Sequence, residues 1–308
     1  MICSGIYTAL ITPFNPSGAL DLAGLRRLVN MQREAHIDGV VALGTTGEAP
    51  TLSLEEKEFV IKTVREEWRD LPLMVGCGAY STTQTIENIQ HAASHGADSA
   101  LVITPFYNKP TQEGVFRHFE SLSRVSPLPI VVYNHPGRTG VHIETLTLQR
   151  ISDLPGVIGV KETSGSIAHV CDILYTIKQN RPDFAVMSGD DNMALALMAL
   201  GGDGVISGAS NLVPEAMMEL ADACRDGDFI TAQKLNLALT PLFKALLLET
   251  NPIPLKAILH LAGLPAGEPR LPLTPLLGKC IPVLEETLTQ LKIETQRHKD
   301  AKKEPILC

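Results

Sequence analysis

Eight times in succession a short apolar or β-branched run is followed by a longer stretch with helical periodicity, and this alternation constrains the fold most. The strand candidates are Ile6–Thr12, Gly39–Leu43, Leu73–Gly76, Ser99–Thr104, Ile130–Asn134, Val157–Lys161, Ala185–Ser188 and Gly204–Ser207. Runs such as VVAL, LVIT, IVVY and VIGV are apolar throughout, as strands buried on both faces must be. The helical stretches between them are Asp21–His36, Ser53–Trp68, Thr82–His95, Gln112–Val125, Ile143–Ser152, Ile167–Gln179, Met193–Leu200 and Pro214–Cys224. Ser53 with Glu56 has the spacing of a capping box, and Asp21 stands where an N-cap belongs.

Eight consecutive βα units predict an α/β fold, a closed (β/α)8 TIM barrel, rather than an open doubly wound sheet. No Gly-rich dinucleotide fingerprint follows the first strand, which removes the commonest reason to prefer the open sheet. The barrel is expected over residues 1–224. Residues 225–296 continue with helical periodicity, broken by proline, and read as a C-terminal helical extension packed on the barrel. The charged segment 297–308 reads as a disordered tail.

Composition narrows the function. With 44% hydrophobic and 19% charged residues the chain has ample material for a large core. A formal net charge of −8, without a basic cluster beyond Lys302-Lys303, argues against a nucleic-acid partner. No apolar run approaches the ~20 residues of a membrane helix. The first fourteen residues lack a basic n-region and are cut by Pro13, so they do not read as a signal peptide. Six scattered cysteines form no C-x-x-C pair, consistent with idle thiols in a reducing, cytoplasmic setting. The nine histidines show no H-E-x-x-H motif or paired ligand spacing, so no metal is expected. Gly189-Asp190-Asp191 before an apolar helix reads as a turn with an N-cap rather than a Mg2+ site.

In a barrel of this kind the C-terminal ends of the strands carry chemistry. The distinctive segments fall there: Gly44–Glu48, Pro105–Pro110, Tyr133–Gly140, Lys161–Thr163, Gly189–Asp191 and Ser207–Ala209. Lys161, directly after an apolar strand, is the most informative residue. Two readings stand: a rim lysine or ion pair with Glu162 or Asp190, or a desolvated amine whose pKa falls from ~10.4 towards 7 and becomes nucleophilic. Tyr133, one strand earlier, is either a packed phenol or a proton shuttle. Thr45 and Thr46 shape a turn or grip a carboxylate. Arg138 is a solvated surface residue or a bidentate carboxylate clamp. Tyr107 is loop packing or an interface residue. Each signal is weak alone; the shared rim joins them.

The runs GTTGE at 44–48, TPFYNKPTQEG at 104–114, VVYNHPGRTG at 131–140, IGVKETSG at 158–165, SGDD at 188–191 and NPIPLK at 251–256 resemble the dihydrodipicolinate synthase family. The likeness extends from Gly5 to about Leu291, and the wider superfamily of pyruvate-dependent aldolases includes N-acetylneuraminate lyase. The resemblance implies that Lys161 forms an imine with pyruvate and that the resulting enamine attacks L-aspartate 4-semialdehyde. No separate cofactor is implied. It further implies that Tyr133, Thr45 and Tyr107 relay protons, with Tyr107 lent by a neighbouring subunit of a homotetramer. Thr45 and Thr46 would hold the pyruvate carboxylate, Arg138 the semialdehyde carboxylate, and the backbone at Gly189 and Ile206 would line the pocket.

Arg138 favours a small dicarboxylate-type pair of substrates over the hydroxylated chain of a sialic acid. A keto-sugar-acid aldolase is the alternative, and a non-catalytic keto-acid-binding barrel is the alternative of another class. In lysine-inhibited members of the family a small polar pocket carries an acidic group. The matching positions here are Ala49, Leu54, Lys57, Tyr80, Gln84 and Phe106. An amide at Gln84 and a like charge at Lys57, each worth ~1 kcal/mol or more against a dication, predict weak or no inhibition by lysine.

Overall fold

The structure, a computed structural model, describes residues 3–69 and 71–293; the expected tail at 297–308 lies outside them. Eight parallel strands, β1 Gly5–Ala9, β2 Gly39–Ala42, β3 Leu73–Gly76, β4 Ser99–Ile103, β5 Ile130–Asn134, β6 Val157–Glu162, β7 Ala185–Ser188 and β8 Gly204–Ser207, close into a barrel in sequence order. β8 pairs back onto β1, with Tyr7 opposite Ile206. The closed barrel is the architecture that the βα alternation predicts.

The strands are mainly apolar because their two faces meet two different cores. Ile6, Val40, Val75, Val102, Val132, Val160, Val186 and Val205 belong to the layer between sheet and helices. Tyr7, Val41, Met74, Leu101, Val131, Met187 and Ile206 fill the barrel interior. A compact β-branched side chain suits the outer layer, where helices press against the pleat. β1 ends at Ala9 instead of continuing to Thr12, because the next residues are captured by loops. Ile11 N donates to Asn211 Oδ1, and Thr12 Oγ1 donates to the Gly47 carbonyl.

The helices are α1 Leu22–Glu34, α2 Leu54–Trp68, α3 Thr82–Ser94, α4 Gln112–Val125, a one-turn α5 Pro136–Thr139, α6 Thr145–Ser152, α7 Ile167–Ile173 and α8 Ala194–Ala199. They continue with α9 Pro214–Arg225, α10 Phe229–Ala245, α11 Ile253–Leu261 and α12 Ile281–Gln290. Asp21 caps α1 by accepting from Gly24 N, and Ser53 with Glu56 forms the complete capping box of α2. α6 starts two residues later than its periodicity suggests, since Ile143 N donates to Asn134 Oδ1 and Glu144 N to Gln112 Oε1. α7 is shorter than expected because the chain passes into a π turn over Leu174–Lys178. Among the described residues, no helix is long and apolar enough to cross a membrane.

The segment after α9 does more than cover the barrel. α10 and the turn behind it carry Phe243, Leu246, Leu247 and Asn251 to the C-terminal ends of the strands, where they wall a cavity. α11 is anchored by a buried ion pair, Lys256 Nζ to Glu48 Oε1 at 2.6 Å, with both side chains 1% exposed. The other Glu48 oxygen accepts from Arg270 N at 2.9 Å.

Candidate active site

Strand alternation settles the direction of Lys161. In β6, Glu162 points out of the barrel, where it accepts from Asn134 Nδ2 at 2.8 Å and Ser164 N at 2.7 Å. Lys161 therefore points in. It is 7% exposed and, among the described residues, makes no hydrogen bond or ion pair. The ion pair with Glu162 or Asp190 that the sequence left open does not form. Burial pushes the amine down to about 8; Asp190 and Asp191 oppose that shift, and the Arg138 guanidinium adds to it.

Tyr133 stands directly opposite Lys161 in the β5–β6 register. The amine lies 4.4 Å from the centroid of the phenol ring. Burial raises the Tyr133 hydroxyl to about 12, against the lowering effect of Arg138. The phenol therefore stays protonated at neutral pH. Thr45 and Thr163 are its hydroxyl neighbours. The Thr163 hydroxyl is buried against the Tyr133 phenol.

A cavity of about 240 Å³ opens above these groups. Lys161, Tyr133, Thr45, Thr46, Arg138, Gly189 and Ile206 all line it. Gly189 is required there: a Cβ would fall 1.8 Å from Thr163 Oγ1 and 2.8 Å from Lys161 Cε. Asn251 joins two of the predicted residues, donating from Nδ2 to Thr46 Oγ1 at 2.9 Å and accepting at its carbonyl from Arg138 Nη2 at 3.2 Å.

Tyr107 is not brought to this cavity. It is 92% exposed, with φ +70°, a left-handed conformation that is uncommon for a non-glycine residue. The N-cap reading of the Asp190-Asp191 pair is corrected. Asp190 makes no side-chain cap bond. The Asp191 carboxylate instead crosses to the loop after β8, accepting from Gly208 N at 3.1 Å and Ala209 N at 2.9 Å. Two backbone donors on the adjacent strand end outcompete its own helix. Sequence reasoning passed over Thr163 and Asn251 as site residues. Thr163 follows Lys161 by two positions, the strand period, which is the signal that could have found it. Asn251 is remote in sequence and carried no such signal.

None of the cavity's residues forms a metal-ligand cluster. What the cavity offers is an amine able to shed its proton, a phenol and hydroxyls to move protons, and a guanidinium at the rim.

The dihydrodipicolinate synthetase family model matches residues 2–291. The chain belongs to this family. Dihydrodipicolinate synthetase family members are aldolase-type lyases, and this chain is an enzyme of that kind. It is 49% identical over 299 residues to the 4-hydroxy-tetrahydrodipicolinate synthase of Protochlamydia amoebophila, covering 97% of this chain and 100% of that one. Among solved structures of the family, that of dihydrodipicolinate synthase from Thermotoga maritima superposes with a TM-score of 0.93 at 41% identity, over 95% of this chain and 100% of the other. The lysine-bound enzyme of Cyanidioschyzon merolae superposes with a TM-score of 0.90 at 33% identity, over 94% of this chain and 98% of the other.

Proposed function

We propose that this chain is a 4-hydroxy-tetrahydrodipicolinate synthase, condensing pyruvate with L-aspartate 4-semialdehyde in the diaminopimelate and lysine pathway through an imine on Lys161. The observation that carries the reading is the buried, unpaired Lys161 amine beside the Tyr133 phenol. The neutral amine adds to the pyruvate carbonyl, and the carbinolamine loses water with protons passing through Tyr133 and Thr45. The imine gives up a methyl proton to become an enamine, whose carbon attacks the aldehyde. The amino group of the adduct then closes the ring and displaces Lys161. Thr45 and Thr46 hold the pyruvate carboxylate, Arg138 holds the second carboxylate, and Gly189 and Ile206 shape the wall. No separate cofactor takes part.

Tyr107, exposed and held in a left-handed conformation, serves a neighbouring subunit in a homotetramer. Sedimentation measurements test that assembly. A monomer that keeps full activity would refute it.

Lysine inhibits weakly or not at all. Ala49, Leu54, Lys57, Tyr80, Gln84 and Phe106 line one cavity of about 700 Å³, whose carboxylate, Glu48, is already paired with Lys256. A diamine entering it meets Lys57 without a free acidic partner. Half-inhibition at submillimolar lysine would refute this.

The test of the mechanism is intact mass after borohydride with pyruvate, on the wild type and on Lys161→Ala. A pyruvate-sized adduct that disappears in the variant supports the imine, and turnover of the semialdehyde supports the acceptor. Adduct without such turnover points to a keto-sugar-acid aldolase, and no adduct on folded wild type to a non-catalytic barrel.

A further inference from the structure

Away from the barrel mouth, α2 and α3 bring Glu58, His91 and His95 together. One ligand atom from each residue lies within 4.8 Å of the other two. His91 and His95 are four residues apart, so both rings leave α3 on the same side, with centroids 4.4 Å apart. This is a paired spacing, contrary to the expectation from the sequence. A search for H-E-x-x-H passes over it because the carboxylate comes from another helix.

Three potential ligand atoms converge here. His95 Nδ1 lies 2.7 Å from the His91 carbonyl oxygen, which can only accept, so that nitrogen carries the hydrogen. In the neutral ring His95 Nε2 then carries the lone pair, and it faces Glu58 Oε1 at 3.5 Å. The backbone bond fixes ring orientation and tautomer as the outer shell of a metal site does. His91 Nε2 is buried and makes no hydrogen bond. Lys62 currently donates to Glu58, and its half-exposed side chain is free to swing into water. Lys57 and Lys62 are the nearby cations that oppose a metal charge, and Glu58 is the anion that offsets them.

We propose that Glu58, His91 and His95 form a site for a borderline divalent transition-metal ion such as Zn2+, which clips α2 to α3. Two imidazole nitrogens and a carboxylate oxygen are the donor set such ions favour, with water completing the shell. The site is independent of the reaction proposed for Lys161. The ion stabilises the fold because it binds the native arrangement and not the unfolded chain.

Calorimetric titration of chelator-stripped, full-length protein with Zn2+ tests this. One saturable site is expected, weakened at least about tenfold by His91→Ala, His95→Ala or Glu58→Gln. Zn2+ should raise the melting temperature of the wild type and not of these variants. Lys62→Met should tighten binding severalfold, a gain that damage to the fold cannot produce. No saturable binding to wild type, or binding unchanged by both histidine variants, would overturn the site. Unchanged affinity in Lys62→Met would remove Glu58 from the ligand set.

Discussion

Tyr133 and Lys161 face each other across β5 and β6, with the lysine amine 4.4 Å from the tyrosine ring. Direct register pairing fixes both side chains on the inner face of two rigid strands, so neither depends on a loop for its position. The ring supplies the amine with a π face in place of a carboxylate. Burial outweighs the opposing Asp190 and Asp191 charges and lowers the pKa.

The amine therefore governs the pH response. Its folded pKa lies at about 8, below its ordinary value, so protonation at lower pH removes the nucleophile. The rate of borohydride-trappable adduct formation should rise with pH to a plateau above about 8. Below that it should fall about tenfold per unit. A flat profile between pH 6 and 9 would show that an unshifted or differently activated group reacts.

Tyr133→Phe keeps the ring against Lys161 and removes only the hydroxyl. Adduct formation should slow by about 100-fold with the circular dichroism spectrum unchanged. Loss of less than threefold would assign the proton transfers elsewhere, with the buried Thr163 hydroxyl as the next residue to test.

Arg138 sits at the rim, bonded only through Nη2 to the Asn251 carbonyl among the described residues. Arg138→Ala should lower kcat/KM for the semialdehyde by about 10–150-fold, the value of a charged hydrogen bond, and leave pyruvate trapping within a few-fold. An equal loss in both assays would contradict its assignment to the second substrate.

The Glu48–Lys256 pair is 1% exposed on both sides. Removing one partner strands the other charge, so Lys256→Met should cost about 3–5 kcal/mol in denaturant unfolding. Glu48→Gln combined with Lys256→Met should recover part of that loss. A cost below 1 kcal/mol for the single variant would mean that water reaches Glu48.

His118 is buried, with Nδ1 2.9 Å from Thr82 Oγ1, and burial pushes its pKa down to about 4. Its folded pKa is lowered from 6.5, so the unfolded chain takes up the proton first as pH falls. The stability it supports is complete above about pH 6.5 and declines towards pH 4, by up to about 1.4 kcal/mol per unit. His118→Gln should flatten that part of the stability curve. An unchanged slope would assign the acid sensitivity to other groups.

The barrel was legible because its evidence is local. Eight apolar runs alternate with capped helices, and each strand must be apolar on both faces in a sheet that helices enclose. The ends were less legible. The capture of Ile11 by Asn211, two hundred residues away, leaves no mark in the neighbourhood of β1. The same limit applied at Asp191, whose partners lie beyond the next strand.

The sequence by itself determined the βα alternation, the capping box at Ser53 and the candidate set around Lys161, since periodicity, caps and residue chemistry are written within a few positions. Tertiary structure alone decided whether Lys161 was paired or bare, that Thr163 and Asn251 join its surroundings, and that Glu58 meets His91 and His95. Burial and lone-pair geometry are properties of closure. They arise only when segments distant in the chain exclude water from the same place.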